Sequence, residues 1–265
     1  MNGVARAVAA WERELRDLLL PRGCAGCDLP DETLCAQCRE SFARHRQWTL
    51  HRDGVRIPCF ACADYRGVIR RAILSWKDHD DVELDGPLVE CMADLAAQAS
   101  MAGVVAVAAQ TSRRMLVVPV PSSTASRRRR GRAHVLPLAR GVAKGLREAV
   151  PDNAGVGVAV ADVLRVSGVN AKSVQASDVR HRARRLDGRL RVASGGFAAQ
   201  GARSLQGAAV VLVDDIVTTG STLAYCARVV EAAGGRVAAA FALARTPAPG
   251  ECGPRAGGLS ASSAA

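Results

Sequence analysis

Two stretches of this chain hold residues whose types and spacing can do chemistry. The first is Val210-Val211-Leu212-Val213-Asp214-Asp215-Ile216-Val217-Thr218-Thr219-Gly220-Ser221-Thr222-Leu223. A β-branched run leads straight into two carboxylates, then into a small, hydroxyl-rich loop. Such a run suits a strand covered on both faces, and ligands of open α/β sheets sit beyond the carboxyl ends of such strands. Thr218, Thr219, Ser221 and Thr222 offer hydroxyls, and Gly220 lets the backbone approach a ligand closely. An apolar stripe through Leu223, Cys226, Val229 and Val230 predicts a helix that ends at Gly234-Gly235. The loop then presents backbone N–H groups at a helix N-terminus, which favours phosphate. A phosphate leaves Asp214 and Asp215 unexplained, because carboxylates repel it. They suit vicinal sugar hydroxyls or a hydrated Mg2+. Phosphate donors beside diol acceptors point to a ribose 5-phosphate.

The second stretch is Cys24-Ala25-Gly26-Cys27 followed by Cys35-Ala36-Gln37-Cys38. Each C-x2-C makes a tight turn aiming two thiolates at one point, and two such turns give a closed, tetrahedral zinc site. The third pair, Cys59-Phe60-Ala61-Cys62, lies in an apolar run from Ile57 to Ala63 that predicts a strand. Residues three apart on a strand face opposite sides, so this pair is not expected to share a metal. Cys91 and Cys226 fall on predicted helix faces as core thiols.

Asp214 to Thr222 resembles the 5-phosphoribosyl-1-pyrophosphate (PRPP) motif of type I phosphoribosyltransferases. Further segments extend the likeness: the paired C-x2-C, Tyr65-Arg66-Gly67 with Lys77, Val118-Pro119-Val120-Pro121, Arg130-Gly131 and Gln175. Together they resemble the competence protein F (ComF/GntX) family over roughly residues 15–245. The resemblance implies a type I phosphoribosyltransferase-like α/β fold, a mainly parallel sheet flanked by helices, with a small N-terminal zinc module. It implies transfer of ribose 5-phosphate from Mg2+-bound PRPP to an acceptor, with release of pyrophosphate. Asp214 and Asp215 then serve as the catalytic carboxylates. Thr218, Thr219, Gly220, Ser221 and Thr222 anchor the 5-phosphate, and Lys77 and Arg130 meet the pyrophosphate. Zn2+ is the structural cofactor and Mg2+ accompanies PRPP. The alternative the resemblance carries is a non-catalytic PRPP-fold protein in DNA uptake, binding single-stranded DNA and a competence helicase-like partner. The chain departs from the family after Arg130-Gly131, where Arg132-Ala133-His134 replace the usual Phe-Asn-Gln, and after Gln175, where Ala176-Ser177 stand.

The surrounding pattern supplies elements to position these groups. Val4, Val8, Trp11, Leu15 and Leu18 predict an amphipathic helix over 3–20. Val68 to Trp76, Leu84 to Ala108 and Val135 to Leu146 predict three more helices. Met115 to Val120, Asp162 to Val166, Leu190 to Ala193 and Arg236 to Ala244 predict strands, and alternation with helices implies a parallel sheet. Gly155-Val156-Gly157 is expected to be loop. The expected organisation is a helix and four-cysteine zinc module over 1–50, a phosphoribosyltransferase-like domain over 51–246, and a disordered tail over 247–265.

The formal charge of +11 suits anionic partners: a pyrophosphate, a nucleotide or a nucleic acid. The run Arg127 to Arg132 fits a solvated loop, a pyrophosphate contact or a nucleic-acid backbone contact alike. With aromatics at 3%, a base-stacking platform for single strands is disfavoured. No stretch approaches the ~20 apolar residues of a membrane span, and Glu12, Arg13, Glu14 and Arg16 interrupt any signal-peptide core. A cytoplasmic setting is expected, where nine cysteines point to metal or burial rather than disulfides.

Overall fold

The structure, a computed structural model, describes residues 23–78, 81–101, 113–121, 132–150, 155–166, 190–193, 205–247 and 251. The expected helix over 3–20, Arg127 to Gly131 with Arg130, Gln175 and its Arg-rich surroundings, and most of the 247–265 tail lie outside them.

The sheet grows from the apolar runs picked out above. Its strands are β1 (Arg46–Arg52), β2 (Val55–Asp64), β3 (Arg114–Pro119), β4 (Gly157–Val160), β7 (Ala209–Val217) and β8 (Arg236–Arg245), in the order β1-β2-β8-β7-β3-β4. β1 is antiparallel to β2, and every other pairing is parallel. The helices are α1 (Ala36–Phe42), α2 (Gly67–Asp78), α3 (Asp85–Met101), α4 (Val135–Ala149) and α5 (Ser221–Ala232). A separate antiparallel pair joins β5 (Leu164–Val166) to β6 (Leu190–Val192).

Strand parity sorts the core. Val211, Val213, Phe241 and Cys62 face α2, α3 and α4, in one cluster with Ile73, Leu88 and Leu138. Val210, Leu212, Ala240 and Cys59 face the other way, onto α5 through Leu223, Ala224, Cys226 and Val230. Cys59 and Cys62 thus lie on opposite faces of β2, both buried. Cys91 and Cys226 are buried as well. Gly141 and Gly145 let α4 lie against α3, because a Cβ there would strike the carbonyls of Val89 and Ala93.

Four details differ from the expectations. The segment 162–166 does not extend the main sheet; Leu164–Val166 pairs with β6 instead. The place beside β3 goes to Gly157–Val160, whose alternately exposed residues make a short edge strand that Gly155 and Gly157 at its start disguise as loop. The helix expected from Leu84 begins at Asp85 after a 3-10 turn at Val82–Leu84, with Pro87 in its first turn, where a missing N–H costs nothing. β1 was not anticipated. It runs unbroken through positions 50 and 51, joining the cysteine-bearing segment to the sheet.

Candidate functional site

The crevice forms where chain direction from neighbouring strands diverges. From β3 the chain passes through α4 to β4 on one side, while β7 leads through α5 to β8 on the other. β3 and β7 are adjacent, and the Val120 N–H continues the ladder by donating to the Val213 carbonyl at 2.7 Å. Pro119-Val120-Pro121 and Asp214-Asp215 therefore lie side by side near the carboxyl ends of the two strands, where α/β folds place ligands, with β7 running on to Val217. A recess lined by Pro119, Val120, Pro121, Ala133, Val135, Leu136 and Asp162 opens at the end of β3.

The two carboxylates lie in different surroundings. As neighbours on a strand they must point to opposite faces. Asp215 shares the parity of Val211 and Val213 and is buried. Its Oδ2 pairs with the Lys77 ammonium at the end of α2 and with His134 Nε2, at 2.8 Å, just before α4. Its Oδ1 accepts from the Ile216 N–H at 2.7 Å. Burial pushes the Asp215 carboxyl up, but the His134 hydrogen bond and the Lys77 charge outweigh burial and hold it below the usual range. Asp214 shares the parity of Val210 and Leu212, toward α5, and is half-buried. Burial first, and then the charge of Asp215, pushes its carboxyl up, to about 8. The Asp215 N–H donates to Asp214 Oδ1 at 2.8 Å, so the inner residue steadies the outer one.

The loop that follows is built for close approach. Gly220 holds a left-handed φ of 72° as it caps α5, and a Cβ there would collide with the Leu50 side chain of β1. Thr219 Oγ1 and Ser221 Oγ lie 3.0 Å apart, and the Ser221 N–H faces Thr219 Oγ1 at 3.5 Å. Thr218 is exposed, while Thr219, Ser221 and Thr222 are half-buried. The Arg52 Nε–H donates to the Thr219 carbonyl at 2.9 Å.

Of the residues expected at the site, Asp214, Asp215, Thr218 to Thr222 and Lys77 come together, with Lys77 directed at Asp215. Arg132, from the basic run, holds Asp85 with two hydrogen bonds of 2.7 and 2.8 Å and lies over the Trp76 ring. Sequence reasoning missed His134, Arg52 and the Trp76–Asp85–Arg132 cluster. A polar residue at a helix start, where the resembled family carries Gln, was the available signal for His134. Nothing local marks Arg52.

The four-cysteine cluster is separate from the crevice. One ligand atom from each of Cys24, Cys27, Cys35 and Cys38 lies within 4.8 Å of the others, so the cluster can hold a metal ion such as zinc. Its turns are those that thiolate ligation favours: the Asp28 N–H donates to the Cys24 carbonyl at 2.8 Å, and the Cys35 N–H points at Cys24 Sγ at 3.3 Å. Burial pushes the Cys24 thiol up, yet N–H donors from Cys35, Gly26 and Cys27 outweigh it and bring it to about 7. The turn is fastened to α2, where Arg71 Nε donates to the Gly26 carbonyl at 2.6 Å.

Residues 136–251 match the family described as phosphoribosyl transferase domain. The match spans α4 through β8 and so includes the whole Asp214–Thr222 loop, while β3, Lys77 and His134 lie before it. No curated protein matches the chain. The fold is thus a mainly parallel sheet with flanking helices, in which residues 136–251 match the phosphoribosyl transferase domain family, preceded by a cluster of four cysteines consistent with a small zinc module. No helix among the described residues is long and apolar enough to cross a membrane.

Proposed function

We propose that this protein binds Mg2+-PRPP in the crevice between β3 and β7 and transfers its ribose 5-phosphate to an acceptor nucleophile, releasing pyrophosphate. The observation that carries the proposal is the end of β7 and its turn into α5: a half-buried carboxylate, Asp214, followed four residues on by a hydroxyl-rich loop capping a helix, inside the family match. The competence protein F resemblance points the same way. The Thr218–Thr222 loop takes the 5-phosphate through its N–H and hydroxyl donors. Asp214 accepts from the ribose hydroxyls and, when ionised, stabilises positive charge growing on the ring as the C1–O bond to pyrophosphate lengthens. Asp215 holds Asp214 in place from beneath, clamped by Lys77 and His134. Mg2+ supplies charge neutralisation on the leaving pyrophosphate. The acceptor attacks C1 on the face opposite the leaving group. Zinc at Cys24, Cys27, Cys35 and Cys38 is structural, contributing folding energy to a segment with little core of its own.

Titration calorimetry tests the reading. PRPP should bind at micromolar to millimolar concentration with Mg2+ and more weakly without it, with ribose 5-phosphate and pyrophosphate as partial ligands. A panel of nucleobases and amines should then include one that triggers pyrophosphate release. No PRPP binding at millimolar ligand with Mg2+ would end this reading. Binding without release for any acceptor would turn it toward a sensor or DNA-uptake role.

A further inference from the structure

The loop proposed to hold the 5-phosphate has a charge deficit. Thr218, Thr219, Gly220, Ser221 and Thr222 are all neutral, and the first basic residue of α5 is Arg228, well along the helix. The two residues that begin the motif, Asp214 and Asp215, are acidic. The nearby lysine, Lys77, and the nearby imidazole, His134, are both directed at Asp215. A phosphomonoester carries −1.5 to −2 charges at neutral pH, roughly. Neutral donors alone would hold such a group against two carboxylates in sequence. A cation reaching this loop from elsewhere in the fold would add charge that its neutral donors lack.

The β1–β2 hairpin brings one. β2 pairs with β8 only from Cys59 to Asp64. The first residues of β2 are paired with β1 alone, as in Leu50↔Ile57 and Arg52↔Val55. The hairpin end is therefore free of the parallel sheet and rests on the β7–α5 turn. Leu50 and Arg52 are two apart on one strand and share a face. Leu50 fills the space that the missing Cβ of Gly220 leaves. Arg52 donates its Nε–H to the Thr219 carbonyl at 2.9 Å and is half-buried there. Among the described residues that is the one hydrogen bond the guanidinium makes, so its two Nη groups keep their donors. Arginine suits this role because its fork can bind one acceptor through Nε and still offer paired donors to an anion.

We propose that Arg52 is the cation of the phosphate site: it pairs with the phosphomonoester of the bound ligand while its Nε anchors it to the loop. The inference rests on the phosphoribosyl reading above and adds a residue from a different part of the chain, 167 positions away in sequence. It also gives the hairpin a role in selectivity. Ligands with a terminal phosphomonoester, PRPP and ribose 5-phosphate, should depend on Arg52. Inorganic pyrophosphate, bound toward the β3 end of the crevice, should not.

The test is calorimetric titration of full-length wild type, R52Q and R52K with three probes: Mg2+-PRPP, ribose 5-phosphate and Mg2+-pyrophosphate. In R52Q the affinity for PRPP and ribose 5-phosphate should fall about tenfold or more, while pyrophosphate affinity stays within about twofold of wild type. R52K keeps the charge and loses the fork, so it should recover a measurable part of the loss. Phosphorus NMR of bound ribose 5-phosphate should show its second ionisation at lower pH than in free ligand for wild type, and unshifted for R52Q. Equal ribose 5-phosphate affinity in R52Q and wild type overturns the proposal. So does R52K weakened as fully as R52Q, since Arg52 would then serve only to position the loop. If R52Q also loses pyrophosphate binding, the glutamine variant reports misfolding and the R52K comparison decides alone. Wild type that binds neither PRPP nor ribose 5-phosphate is a different failure: it removes the functional reading itself, and this inference with it.

Discussion

The cysteine cluster and the carboxylate crevice are assembled in opposite ways. All four thiols come from one short segment, Cys24 to Cys38, and two tight turns bring them within 4.8 Å. The groups around Asp215 come from three distant places: Lys77 at the end of α2, His134 before α4, and β7 itself. The cluster is a product of local chain geometry, and a bound metal would secure it. The crevice is a product of the packed sheet, and nothing but the sheet brings its parts together. Local assembly should fail locally and completely when a ligand is lost, whereas the crevice should fail in graded steps according to which partner is removed.

The largest expected effect is at the cluster. Cys35→Ser/Cys38→Ser should reduce bound zinc from about one per chain to near zero, as metal analysis would report. The segment around residues 23–42 should become protease-sensitive, while the β7–α5 region stays protected in hydrogen exchange. Zinc retained in the double variant would break the comparison at its first term.

Next comes Asp215→Asn. It leaves the Lys77 ammonium beneath the sheet without its counter-charge, which should cost about 3 kcal/mol in stability and lower the midpoint of thermal unfolding by several degrees. Asp214→Asn should behave differently. Its carboxyl is pushed up, so its proton is held more tightly in the folded state. That contribution to stability is fully present below the unfolded value and is lost as pH rises through the folded one, near 8. At neutral pH and above, Asp214→Asn should therefore be neutral or slightly stabilising, yet weaken PRPP binding by ~tenfold through lost hydrogen bonds to a charged group. Equal stability losses in the two variants would refute the division between an outer ligand and an inner anchor.

The same raised carboxyl predicts a pH dependence. A ligand that prefers ionised Asp214 must displace a proton from it in the window below about 8. Mg2+-PRPP affinity should rise with pH from ~7 and level off above about 8, a range in which the ligand's own phosphomonoester, with its second ionisation near ~6, no longer contributes. Calorimetry in buffers of different ionisation heat should detect proton release, and Asp214→Asn should flatten the slope.

The smallest effect is at His134. His134→Gln can still donate to Asp215 and should cost ~1 kcal/mol or less. His134→Phe removes the donor beside a buried carboxylate and should cost about 1–3 kcal/mol. The crevice would then respond to each partner by degree, as long-range assembly requires.

Much of this was legible in sequence because it follows from local rules. The C-x2-C spacing fixes turn geometry whatever the rest of the chain does. The Val210–Val213 run needs burial on both faces, so a central parallel strand was implied before any neighbour was known. Gly220 between hydroxyl residues announces a tight approach at a helix start. The edge strand at Gly157–Val160 was less legible, since it alternates weakly and opens with glycine after Gly155, and only its pairing with β3 makes it a strand. β1 was hidden for a like reason: its residues are mostly polar, and its partner β2 defines it.

Sequence by itself determined that two adjacent carboxylates follow a buried apolar strand run and precede a small, hydroxyl-rich loop. It could not determine that they differ. On a strand, neighbours face opposite sides, so the layers on each face decide what each residue meets. The helices packed on one side give Asp215 a lysine and a histidine and keep it ionised. The other side leaves Asp214 half-open beneath the loop, with its proton more tightly held. That division, like the arrival of Arg52 at Thr219, depends on contacts between residues far apart in the chain, and only the packed sheet creates them.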